Sequence, residues 1–260
     1  MRVLMDCDIY NGGKYNNFGI HGTGISTAAD SLAAIKKYVF EEKSIGKADL
    51  IRAIDENFEN TPELLHKLRF EAPKLGNNDD FVDSIATELL DAFSDALKGK
   101  TNCRGGIYRA GTGSAMEYYS SSKDVGATAD GRKKGEPYGC SFSPAITCNC
   151  EGPLSCIQSF TKFDLTKIIN GGPLTLEIHD TVFSNNQGIK KVAQLVKAFI
   201  HLGGHQLQLN SVNRDRLLDA EAHPENHKNL IVRVWGWSGH FTELDKPYRD
   251  HIIKRTEFKV

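Results

Sequence analysis

Long apolar runs are missing from this 260-residue chain, so no stretch of it reads as a membrane span. An excess of either charge is missing too. Lys and Arg number 32 against 33 Asp and Glu, a net charge of -1. That balance removes the basic footprint of a nucleic-acid binder and the acidic block of an interaction tail. The opening MRVLMDCDIYNGGKYNN lacks the apolar core of a signal peptide, so a cytoplasmic protein is expected. Its six cysteines then read as reduced thiols rather than a disulfide framework. Tryptophan occurs only twice, and both copies fall in one short segment. What remains is an ordinary globular composition, 40% hydrophobic and 25% charged, with enough length to bury a core.

The chain divides into two stretches of different pattern, with no internal repeat or low-complexity linker between them. Residues 1–100 read as mainly helical. One helix is expected over 26–43, with Ala28, Leu32, Ile35 and Val39 in near-helical spacing and Ser26 or Thr27 as its N-cap. A second starts at Ser44 and runs to Phe58. A third opens at Thr61-Pro62, and a fourth follows Asn78-Asp79-Asp80 with Phe81, Ile85, Leu89 and Phe93 on one face. Residues 101–260 switch to short β-like segments at 107–110, 174–179, 206–209 and 230–234. Helices are expected over 188–202, ended by Gly203-Gly204, over 213–222 before Pro224, and over 244–255. The whole reads as one continuous mixed α/β unit.

Several clusters could carry chemistry. Cys148, Cys150 and Cys156, with Cys140 near them, match neither a paired zinc spacing nor an iron–sulfur motif, which leaves isolated thiols on a loop and a strand. His223 and His227 are four apart, but Pro224 interrupts the helix that would align them. The loops Gly111-Thr112-Gly113-Ser114 and Gly171-Gly172-Pro173 could cradle an anion, yet neither opens a helix bearing a P-loop lysine. Asp130-Gly131-Arg132-Lys133-Lys134 reads as a solvated surface turn. No metal site is expected. The segment from Leu230 to Phe241 stands apart: a β-branched strand runs into a turn where Gly236 and Gly239 alternate with Trp235 and Trp237. On its own this is a tight turn on a buried hairpin.

The residues nevertheless carry a resemblance. Arg233-Val234-Trp235-Gly236-Trp237-Ser238, followed by Phe241 and by Ile252-Ile253-Lys254-Arg255-Thr256, resembles the C-terminal signature of the glycyl radical enzymes. That family includes pyruvate formate-lyase, choline and diol lyases, arylacetate decarboxylases and benzylsuccinate synthase. Asn17-Phe18-Gly19-Ile20-His21-Gly22, residues 29–37, Arg104-Gly105-Gly106, Asp130-Gly131-Arg132, residues 203–208 and Leu218-Asp219-Ala220 fit the same order and spacing, so essentially the whole chain is covered. The Trp-Gly-Trp variant and Gly171-Gly172-Pro173-Leu174-Thr175 look closer to the arylacetate decarboxylase and benzylsuccinate synthase side.

The resemblance implies an α/β fold: the C-terminal half-barrel, with surrounding helices, of a ten-stranded barrel whose glycine loop threads its centre. It implies a radical stored on Gly236 as the sole cofactor-like modification, with Trp235, Trp237 and Ser238 shielding that loop; simple core packing explains the tryptophans equally well. His179, His205 and Gln206 would fall where the barrel interior is expected, as substrate-lining candidates, and Arg132 would brace the glycine loop. The implied partners are a radical-SAM activating enzyme, a small-molecule substrate, and an N-terminal half of the same enzyme or a partner chain. The family's thiyl cysteine lies in a segment that none of the six cysteines matches. The function expected is thiyl-radical cleavage or formation of a carbon bond in an anaerobic metabolite. Two other readings are a stand-alone glycyl radical module that complements a partner polypeptide, and an inactive truncated fragment.

Overall fold

The computed structural model of the chain describes residues 13–113, 117–234, 237–254 and 257–258. In chain order the elements are β1 (Phe18–His21), α1 (Ile25–Ala34), α2 (Lys47–Asp55), α3 (Pro62–Phe70), α4 (Asp80–Leu97), β2 (Tyr108–Gly111), α5 (Glu117–Ser120) and α6 (Pro153–Phe160). Then come β3 (Leu174–His179), α7 (Asn186–His201), β4 (Leu207–Val212), α8 (Arg214–Ala222), β5 (Ile231–Val234), β6 (Trp237–His240), α9 (Lys246–Lys254) and β7 (Glu257–Phe258). β1 and β2 pair in parallel, and the four helices between them form the crossover that parallel pairing needs. β3 pairs in parallel with β4 on one side and β7 on the other, with α7 as the β3–β4 crossover. β5 and β6 form an antiparallel hairpin of their own.

Local chemistry sets most boundaries. Asp79 caps α4 by accepting from Phe81 N at 2.9 Å, Asn185 caps α7 through Gly188 N, and Asn213 caps α8 through Arg216 N. Pro62 opens α3 at its first turn, where a missing N–H costs nothing. α1 departs from expectation. It starts at Ile25 behind Gly24, whose φ of 75° suits a residue without Cβ. Ser26 and Thr27 are buried inside its first turn, and Thr27 Oγ1 accepts from Gly139 N at 3.1 Å, so a tertiary partner takes the hydroxyl that was expected to cap. The helix then widens into a π-helical segment, Ile35–Glu41, instead of continuing as α to residue 43. α4 is buried along Val82, Ala86 and Leu90, with Phe81, Ile85, Leu89 and Phe93 only flanking that stripe. α6 was not expected at all; it spans only eight residues, too few to show a period.

Three apolar cores result. Leu174, Leu176 and Ile178 of β3 pack with Ala29, Val82, Ile157, Phe160 and Phe199 in the first. A second lies among the helices near the N-terminal part, around Tyr38, Phe58 and Leu68. The third joins Val232 and Val234 of β5 to Tyr118, Leu217, Phe241, Ile252 and Ile253.

The turn at Asp130-Gly131-Arg132 corrects the solvated-loop reading. Asp130 is wholly buried and Arg132 is 1% exposed. The guanidinium donates to the carbonyls of Gly126, Lys133 and Glu136 and to Thr128 Oγ1, while the Asp130 carboxylate accepts from Ser31, Thr128 and Thr147 hydroxyls. Charges tolerate burial when their hydrogen-bonding capacity is met in this way. Lys74, itself 4% exposed, donates to the Asp130 carbonyl at 2.6 Å. Asp30 completes the cluster. Its Oδ1 accepts from Leu75 N at 2.7 Å, and burial pushes its carboxyl up to about 8 despite the nearby Lys74 ammonium, with Asp130 adding to the rise.

Candidate functional site

Alternation along β3 sends Leu174, Leu176 and Ile178 into the first core and leaves Thr175, Glu177 and His179 on the opposite face. The register sets Gln208 of β4 beside Thr175 and Asn210 beside Glu177. Asn210 Nδ2 donates to Glu177 Oε1 at 2.8 Å, and Gln208 Nε2 donates to Asn210 Oδ1 at 3.1 Å. One face of this sheet is therefore apolar, and the other is a buried, hydrogen-bonded polar row with Glu177 only 4% exposed. On β2, Ala110 packs into the core and Arg109 alternates away from it, with a buried Nε that has no hydrogen-bond acceptor among the described residues.

The hairpin comes up to this polar row. Its register pairs Ile231 with His240, Val232 with Gly239, Arg233 with Ser238 and Val234 with Trp237. Trp235 and Gly236, which join the strands in sequence, lie outside the described residues, as do Cys7, Ser114, Arg255 and Thr256. Val232 and Val234 anchor the hairpin in the third core, while Arg233 Nη1 donates to Ser238 Oγ at 3.3 Å on its other face. Between β4 and the hairpin lies a cleft of ≈ 550 Å³ lined by Gln208, Asn210, Ser211, Val232, Arg233 and Ser238. Trp237 is 38% exposed rather than packed in a core, and Ser238 is exposed as well. Replacing Asn210 with leucine removes a donor from the buried Glu177 carboxylate and should lower stability by about 1–3 kcal/mol in a denaturant titration.

The three substrate-lining candidates separate. His179 ends β3 on the polar face, half-buried, with Nδ1 2.9 Å from Thr181 Oγ1 and 3.3 Å from Asp180. His205 precedes β4 instead of lying on it, is exposed on one side, and stacks on Phe160 with ring centres 5.8 Å apart; that partial burial holds its pKa below the usual histidine value. Gln206 is exposed, and its carbonyl accepts from Leu174 N. Asn210 and Arg109 were not singled out from sequence. Strand alternation was the only signal, and it could not tell the polar face from solvent.

The cysteines are not isolated. Cys148 and Cys150 place their sulfurs 3.3 Å apart, and Cys156, in hydrogen-bond contact with Cys150, sits on helix α6 rather than on a strand. The bond to Cys150 and burial push the Cys148 thiol up; the Cys148 bond pulls the Cys150 thiol down, but contact with Cys156 and burial outweigh it and raise that one too. Among the described residues no group of His, Cys, Asp and Glu is arranged to hold a metal ion. The two glycine-rich loops bond to each other: Thr112 N donates to Gly171 O, and Asn170 N to Ala110 O. His227 pairs with Asp219 at 2.7 Å, away from His223, which lies nearer Glu225.

Parallel strands joined by helical crossovers, one polar sheet face and the β5–β6 hairpin beside it form an α/β architecture, and the solved structures it superposes on are glycyl radical enzyme barrels. The chain belongs to the glycyl radical enzyme family. Residues 1–119 match the family described as pyruvate formate lyase-like, and residues 140–242 match the one described as glycine radical, which indicates a glycyl radical modification. Trans-4-hydroxy-L-proline dehydratase of Clostridioides difficile is 35% identical over 98% of this chain and 33% of its own length. Indoleacetate decarboxylase of Tractidigestivibacter scatoligenes is 30% identical over 98% of this chain and 32% of its own. Among solved structures, the B12-independent glycerol dehydratase of Clostridium butyricum superposes with a TM-score of 0.91 at 33% identity, covering 96% of this chain and 32% of that one. The chain thus spans about a third of the length of the curated relatives it matches. No helix among the described residues is long and apolar enough to cross a membrane.

Proposed function

We propose that Gly236 stores the radical and that the chain forms the radical-bearing part of an enzyme that cleaves or forms a carbon bond in a small metabolite. The observation that carries this reading is the position of the hairpin: the strands flanking Gly236 line one cleft with the polar row of β4. A radical at a glycine Cα spreads onto the amide nitrogen and the carbonyl, which requires a nearly planar centre free of side-chain crowding, and glycine alone provides it. In the step proposed, the Gly236 radical takes the hydrogen atom of a cysteine S–H. The Cα–H bond re-forms, and the thiyl radical left on sulfur attacks the substrate. The cysteine belongs to a segment of the enzyme that this sequence does not match.

The division into a mainly helical stretch to residue 100 and a half-barrel from 101 belongs to the same reading, as do an activating radical-SAM enzyme and a polypeptide completing the barrel. Strand edges support that completion. Among the described residues β1 pairs only with β2, and β4 only with β3, so each keeps an edge open to a further strand. Dehydratases and decarboxylases both appear among the relatives, and the dehydratase shares the higher identity. The reaction class proposed is therefore radical elimination or decarboxylation.

The test is anaerobic mixing of the chain, an activating enzyme and a polypeptide corresponding to the preceding two thirds of a relative. A doublet radical signal with turnover only in the mixture is the expected outcome. Turnover by the chain alone would overturn the claim that the attacking cysteine lies elsewhere. A signal that never yields turnover in any mixture would favour an inactive fragment.

A further inference from the structure

Resting on the assignment of the radical to Gly236, we infer that Tyr138 is a positioning residue for the radical hairpin, wedged between the start of α1 and the hairpin's core and locked there by Arg132. The ring occupies a junction. On one side lies Gly24, at the start of α1, where an added Cβ would come within 3.0 Å of Tyr138 Cγ. On another lies the third core, which holds Val232 and Val234 of the hairpin. Tyr138 N donates to Tyr118 O at 2.9 Å, and the next residue, Gly139, donates to Thr27 of α1. Residues 138 and 139 thereby tie the hairpin's core to α1.

Arg132 lies over the ring of Tyr138, its guanidinium carbon 4.7 Å from the centroid. At 1% exposure it is the largest side chain buried this deeply among the described residues, and its partners are carbonyls from both sides of the turn and the Thr128 hydroxyl. A planar fork held at several points cannot tilt without losing hydrogen bonds in a dry site, so the ring stacked on it keeps one orientation. Asp130 anchors the same turn to Ser31 of α1. An arrangement that buries a guanidinium to hold one ring fits a demand for exact placement. Hydrogen-atom transfer supplies that demand, because a displacement of about 1 Å costs on the order of 10²-fold in rate.

The experiment is hydrogen exchange on the full chain, comparing Tyr138→Leu, Tyr138→Phe and Arg132→Lys with the parent. Tyr138→Leu should raise exchange at the backbone amides of β5 and β6 roughly 10-fold or more and leave those of β3 and β4 unchanged, since only local opening is altered. Tyr138→Phe should restore the parent pattern, because the ring and not the hydroxyl fills the wedge. Arg132→Lys should loosen the hairpin in the same selective way. Unchanged hairpin exchange in Tyr138→Leu would overturn the inference, and so would an equal rise across β3 and β4, which would mark a purely structural role. Exchange needs no radical, so a parent protein that never yields a radical would refute the Gly236 assignment without touching this result.

Discussion

Gly236→Ala should eliminate the doublet radical signal of the activated protein, and all turnover with it. Two arguments make the expected loss complete. The doublet arises from one unpaired electron coupled to the single hydrogen left on a glycine Cα; alanine leaves none there. The methyl group also crowds the planar centre that delocalisation requires and obstructs the approach of an activating enzyme. The folding cost of the change is small in comparison. Val234 pairs with Trp237, so the substitution falls between the paired strands and leaves their ladder in place. Melting temperature should therefore stay close to that of the parent while the paramagnetic signal vanishes. A surviving doublet would place the radical on another residue.

Asp30→Asn should flatten the pH dependence of stability. The folded chain holds the Asp30 proton up to about pH 8, whereas the unfolded chain releases it near 3.8. Stability from this group is therefore full below about pH 4, falls as pH rises between the two values, and levels off above about 8. Between pH 5 and 8 the loss amounts to roughly 4 kcal/mol at 1.36 kcal/mol per pH step. Asparagine keeps an oxygen for Leu75 N and has no proton to release, so that part of the slope disappears. Thermal melts of both proteins across pH 4–9 should show the variant gaining on the parent as pH rises. Parallel curves would mean that Asp30 is ionised in the fold.

The environment behind that prediction cannot be read along the chain. Asp30 touches Leu75, 45 residues away, and Ser31 meets Asp130 across 99. Short-range chemistry, in contrast, was legible. β3 falls on the expected residues 174–179, α4 follows Asn78-Asp79-Asp80 as expected, with Asp79 its cap, and the Asn185 and Asn213 caps set helices within two residues of those expected. His205 shows the limit of such reasoning. Its sequence neighbours read as a strand, but β4 begins two residues later and Phe160 draws the imidazole aside.

By itself the sequence determined the family, through the order of its glycine, arginine and tryptophan motifs, and the alternation of helices with short strands. Periodicity, capping and turn residues act within a few positions, so they survive in a linear text. Tertiary structure alone decided which face of β3 and β4 became the polar row, that the Asp130–Arg132 turn is buried rather than solvated, and that the glycine hairpin shares a cleft with Asn210. Burial and charge depend on what packs from distant parts of the chain, and a carboxylate or guanidinium looks the same in sequence whether water or protein surrounds it.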